Sequence, residues 1–223
     1  MSDLAKSRVA SGALILLGAT ACFRGSLPPL ERYRLDLPDP PRSGFDSGPL
    51  SPTRAEPVIE GSIAIAPYGA PGIYGDPNIV YRIGESRYGS YPSREWALPL
   101  TLMLGQLTER VLAAQPLSTG PAVHSPPSRL AHPYEWQGTI REFEEVNRDR
   151  TVLVSVAFDV RLVRTADESI VWQGTEHVEQ TVENPTMPAI VQALSESAAE
   201  VVTRLVTDAR SALERSPPPH PGR

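Results

Sequence analysis

Thr151-Val-Leu-Val-Ser-Val-Ala-Phe-Asp-Val-Arg-Leu-Val163 is the stretch that decides the fold. Val152, Val154, Val156, Phe158, Val160 and Leu162 fall on one face of an extended chain, and Ser155, Asp159 and Arg161 fall on the other. A strand with a two-residue period and one apolar face belongs in a sheet whose one side is core. Ile170, Trp172 and Val178 continue the pattern in a following strand, Ser169 to Val182, with Asp167 and Glu168 supplying the turn.

Working outward, the residues before this stretch read as a strand from Trp136 to Glu144. The residues after it read as a helix from about Pro188 to Glu214. Ile190, Leu194, Ala198, Val201, Leu205 and Ala209 form its apolar stripe, and Pro188 suits a first turn that needs no backbone donor. Farther upstream lies a similar block. Strands are expected at Gly61 to Ala66, Ile79 to Ile83 and Arg87 to Tyr91, then a helix reaching Ala113, with Leu100, Leu104, Leu107, Val111 and Leu112 facing inward and Pro99 near its start. Tyr33 to Leu37 alternates as a short early strand. The order of elements predicts an α+β fold: a mostly antiparallel sheet packed against two amphipathic helices. A single domain is expected over residues 33–215.

Proline punctuates the rest. The 24 prolines concentrate in three places, marking loops at 38–57 and 115–133 and a tail at 216–223. At the N-terminus, Lys6 and Arg8 precede an apolar run from Val9 to Ala21, which is too short to span a bilayer. Ala19-Thr-Ala-Cys22 follows it. This is the layout of a signal peptide, residues 1–21, cleaved before a lipid-modified cysteine. Cys22 is the only cysteine, so no internal disulfide can form, and a free thiol in an oxidising compartment would be a liability that acylation removes. Residues 22–32 would then be a tether, and acyl chains of palmitate type would hold the protein on a membrane.

The remaining residues give little sign of catalysis. The sequence has no Gly-x-Ser-x-Gly elbow, His-Glu-x-x-His pair, phosphate loop or cysteine-based metal pattern. Histidines 124, 132, 177 and 220 are scattered, and Glu142, Glu144 and Glu145 read as a strand's solvent face and its turn. A periplasmic enzyme would require His132, His177 and Glu142 to converge. No catalytic residue, metal or cofactor is predicted. A formal net charge of -5 without a basic cluster predicts no nucleic-acid partner. The glycine-proline segment Pro67 to Pro77 lacks the lysine and helix of a phosphate cradle. It reads as an exposed connection in which Tyr68, Ile73 and Tyr74 could anchor a partner.

Asn78-Ile-Val-Tyr-Arg82, followed by Trp96-Ala-Leu-Pro-Leu100 and an apolar helix, resembles the ABC-type transport auxiliary lipoproteins of the PqiC type. Tyr33-x-Leu35-x-x-Pro38, Gly138-Thr-Ile-Arg-Glu-Phe143, the long alternating strand and the final Ala/Val-rich helix agree in order. Glu95 before the tryptophan and the two enlarged loops depart from the pattern. The resemblance implies a fold like the N-terminal domain of TolB. It also implies a non-catalytic subunit of a lipid transport system, anchored to the periplasmic face of the outer membrane. Its partners would be an MCE-domain protein with its permease and ATPase, and the lipoprotein would form a homo-oligomer. Tyr81 and Trp96 join Tyr68, Ile73 and Tyr74 as expected partner or lipid contacts, although Trp96 at a helix start also suits a core anchor. A second reading is an outer-membrane lipoprotein that activates a cell-wall synthase, which can share such a fold and a proline-rich tether. It needs a long tether.

Overall fold

The computed structural model describes residues 29–36 and 56–216. The signal peptide, Cys22, most of the tether, nearly all of the 38–57 loop and the tail beyond Ser216 lie outside the described residues. The described residues form eight strands and two α-helices: β1 Glu31–Tyr33, β2 Ile63–Ile65, β3 Asn78–Ile83, β4 Arg87–Trp96, α1 Leu100–Ala114, β5 Ala122–His124, β6 Tyr134–Arg148, β7 Thr151–Arg164, β8 Ile170–Thr181 and α2 Met187–Arg215.

The predicted α+β architecture is present, built on the β6–β7–β8 meander. Asp149, at φ 52°, turns β6 into β7 through a two-residue loop, a left-handed position that aspartate tolerates. Between β7 and β8 the Asp167 carboxylate accepts from the Ser169 amide, and Glu168 takes φ 56°. Trp136, Phe158, Val160 and Leu162 are all buried on the face toward the helices. The α2 stripe from Ile190 to Ala209 and the α1 residues Leu100, Leu104, Leu107, Val111 and Leu112 close that core. Thr186 caps α2 by accepting from the Ala189 amide, and Pro188 lies in its first turn. Pro99 stands just before α1, its carbonyl accepting from the Leu102 and Met103 amides.

The long ladders are antiparallel, but four three-residue pairings, β1 with β4, β2 with β5, β2 with β6 and β3 with β6, are parallel. The sheet is therefore mixed. One edge of β6 is fully taken by β7, while the other is shared: β2 pairs with its start, Gly69 bridges to Thr139, and β3 pairs near its end. Between Gly69 and Asn78 the chain leaves that edge and returns, forming a single 3-10 turn over Gly72–Gly75.

Several boundaries differ from the sequence expectation. The first strand is Glu31–Tyr33, earlier than Tyr33 to Leu37, and Leu35 already drops into the core beside Met103. β4 runs five residues past Tyr91, since the register shift opposite Asn78 to Val80 lets the strand continue through Pro92. The 115–133 loop contains β5, which alternation over three residues does not reveal. No helix among the described residues is long and apolar enough to cross a membrane.

Candidate partner-docking site

The return of the chain to the edge of β6 creates the most distinctive polar arrangement in the fold. Glu144 is fully buried on the sheet face turned away from the helices, where Arg82 Nε of β3 donates to its Oε1 at 2.6 Å. The Tyr74 hydroxyl, reaching over from the 3-10 turn, donates to its Oε2. Burial, then the hydrogen bond to this carboxylate, pushes the Tyr74 hydroxyl far above the ordinary tyrosine value. The Arg82 guanidinium also approaches Glu142 at 3.6 Å and lies 5.9 Å from the centre of the Tyr88 ring.

Glu144 and Glu145, expected on a solvent face and its turn, are thus both buried. Two neighbours on a strand point to opposite faces, so each needs its own donors. Glu145 has Tyr91 Oη at 2.7 Å and Asn147 Nδ2 at 2.8 Å. Burial and that carboxylate push the Tyr91 hydroxyl upward as well. Only Glu142 keeps substantial exposure, 36% of its side chain.

Glu142, Ser155 and His177 also meet. Ser155 Oγ donates to Glu142 Oε2 at 2.6 Å and lies 2.9 Å from His177 Nε2. This is not the relay of a hydrolase, because the carboxylate holds the serine proton and approaches the same imidazole nitrogen as the serine, at 3.7 Å. Ser155 is fully buried, and His132 is elsewhere, bonded to Ser62 at 2.8 Å. Among the described residues no group of three or more His, Cys, Asp or Glu has the arrangement to hold a metal ion.

Of the predicted contact residues, the structure brings Tyr74 and Trp96 together. They line a groove of about 330 Å³ with Pro77, Leu98, Pro99 and Leu100, between the 3-10 turn and the start of α1. Trp96 is 6% exposed and packs edge-on against Phe143 at 5.8 Å, so it forms the floor. Leu98, at 38%, is the exposed large apolar side chain of the rim. Ile73 is half-buried beside Tyr74. Tyr68 belongs to the core instead: its hydroxyl meets Thr108 of α1 at 2.8 Å and its ring packs against Phe158. Tyr81 stands apart from the groove, its ring 4.9 Å from that of Tyr91. Sequence reasoning missed Leu98 and Arg82 as parts of this region. A leucine between tryptophan and proline, and an arginine in an apolar strand, were the available signals. A larger hollow, about 500 Å³, lies at the far end of α1 against Ile63, Leu112 and Pro116–Ala122, and contains none of the predicted residues.

A mixed sheet covered on one side by two helices, with an aromatic groove beside the start of α1, defines the α+β class of fold in which the candidate site lies. Residues 47–206 match the model of the ABC-type transport auxiliary lipoprotein component family, and the chain belongs to that family. The crystal structure of a Xanthomonas campestris protein of the DUF330 family superposes with a TM-score of 0.66 at 18% identity, covering 83% of this chain and 97% of that one. A second crystal structure, of an uncharacterised protein, gives 0.61 at 13% identity over 81% and 99%. PelC from Paraburkholderia phytofirmans, a dodecamer in its own structure, gives 0.45 at 12% identity over 70% and 91%. The first two likenesses establish the fold. No curated protein matches the chain at a significant level.

Proposed function

We propose that this protein is the acylated docking subunit of an MCE-type intermembrane lipid transporter. It is anchored through Cys22 to the periplasmic face of the outer membrane and works as a homo-oligomer with an MCE-domain protein, its permease and its ATPase. Family membership supports a transport auxiliary, non-enzymatic role. The observation that carries the finer reading is the parallel pairing of β1 with β4, Glu31 opposite Arg94. It ties the chain to the sheet nine residues after Cys22, so the leash cannot exceed about 30 Å. A protein held that close to its membrane receives a partner there. A cell-wall synthase activator must cross the periplasm, which this leash weighs against.

The groove of Tyr74, Trp96 and Leu98 is the surface assigned to the MCE partner, with Ile73 at its edge. A photo-crosslinker placed at Tyr74 in cells should capture an MCE-domain protein. Capture of unrelated proteins alone would overturn the docking role. Metabolic labelling with palmitate should be lost in Cys22→Ala, and labelling that persists in that variant would overturn the anchor.

A further inference from the structure

We infer that the tip of the β3–β4 hairpin, with Ile83 and Tyr88 on the strands flanking its turn, rests in the membrane interface to which the protein is anchored. The inference depends on acylation of Cys22 as proposed above.

Direction is the first argument. β4 runs from the hairpin tip at Arg87 toward Trp96, and β1 is parallel to it. The chain therefore enters β1 travelling away from the tip, so a leash that continues the line of β1 backwards from Glu31 runs toward the tip. Length is the second. From Arg94, the partner of Glu31, back to Arg87 is seven strand residues, about 23 Å. From Glu31 back to Cys22 is nine residues, at most about 30 Å. Fully stretched along β4, the leash carries Cys22 only one or two residues past the tip; any slack along that line brings the tip to the surface where the acyl chains insert.

Surface chemistry is the third. The large apolar side chains exposed among the described residues are Leu30, Ile83, Tyr88, Leu98, Leu130 and Ile170. Ile83 and Tyr88 lie on adjacent strands at the tip, and Leu30 immediately precedes β1. Gly84, at φ 64°, makes the turn between them, and its amide bonds to the Asn147 carbonyl, placing the β6–β7 turn alongside. That end carries Glu85 and Asp149 against Arg87 and Arg150, a near balance of charge. Apolar contact is therefore the attraction, and a tyrosine suits the headgroup level. Leu130 and Ile170 sit at the opposite end, where Arg129 bridges Glu135 and Glu168.

Because acylated Cys22 is the only native cysteine, single labels are possible. The full lipidated protein would carry Ile83→Cys, Tyr88→Cys, Leu130→Cys or Ile170→Cys, each nitroxide-labelled and bound to phosphatidylethanolamine–phosphatidylglycerol vesicles. Labels at 83 and 88 should lose several-fold accessibility to an aqueous nickel chelate and gain accessibility to oxygen, with no change on adding salt. Labels at 130 and 170 should stay open to the aqueous reagent. Vesicle-bound protein whose 83 and 88 labels are as open as the other two overturns the orientation while leaving the anchor standing. Lipidated protein that fails to sediment with vesicles overturns the anchor and the orientation together.

Discussion

Arg82 of β3 and Glu144 of β6 form an ion pair across a parallel register, Nε to Oε1 at 2.6 Å, with side-chain exposures of 8% and 0%. Neither charge has adequate water, so each depends on the other. Arg82→Ala leaves a buried carboxylate with only the Tyr74 hydroxyl, at an expected cost of about 3 kcal/mol. Replacing both, Arg82→Met with Glu144→Leu, should recover most of that loss, since the desolvation of two charges disappears with them. Urea titration of the single and double variants measures both effects, and equal destabilisation by each would contradict the pairing.

The Tyr74 and Tyr91 hydroxyls are both held protonated by burial and by donation to a buried glutamate. A group whose value is raised on folding contributes stability that is complete below its unfolded value, near 10, and is lost as pH rises toward the folded value. Stability should therefore fall from about pH 10 upward. Tyr74→Phe should flatten part of that slope and cost about 1 to 2 kcal/mol at neutral pH through the lost donor. Ultraviolet titration should show these tyrosinates appearing only with unfolding.

Gly105 of α1 is fixed by its neighbour across the layer: a Cβ there would stand 2.2 Å from the His124 ring of β5. Gly105→Ala should destabilise the fold despite its better helix propensity, and adding His124→Ala should relieve the clash. A double-mutant cycle by thermal unfolding checks this coupling. Burial, against the weaker pull of Glu109, lowers the His124 value. A histidine lowered on folding gives stability present above about 6.5 and lost as pH falls through the folded value, so acidification from neutrality should weaken the fold less in His124→Gln.

The parts of this fold that were legible are those where burial follows local period. The even-numbered apolar face of β7 from Val154 to Leu162 and the α2 stripe are both buried as their spacing requires. Glu144 was not legible, because in sequence a glutamate alternating with apolar residues is indistinguishable from one facing water. Its burial depends on Arg82, 62 residues away, and on a tyrosine in a loop. The parallel ladders were hidden for the same reason: three-residue pairings have no period of their own, and two of the four exist only because β2 and β3 share one edge of β6. The candidate groove was half legible: Trp96 and Tyr74 stand out in the sequence and line it, whereas Leu98 on its rim does not stand out and Tyr68 is core.

Trp96 and Leu98 therefore allow folding to be tested apart from the proposed docking within a single groove. Trp96 is nearly buried against Phe143, so Trp96→Ala should cost about 3 to 5 kcal/mol and lower the yield of folded protein. Any loss of partner capture in that variant would follow from misfolding. Leu98 is 38% exposed on the rim, where a polar replacement disturbs little packing. Leu98→Ser should cost only about 1 kcal/mol, well below the cost at Trp96. If the groove receives the transporter, crosslinking from Tyr74 should nevertheless drop several-fold in Leu98→Ser, with the amount of lipoprotein in the membrane unchanged. Undiminished crosslinking would move the docking surface away from this groove while leaving the lipid anchor intact.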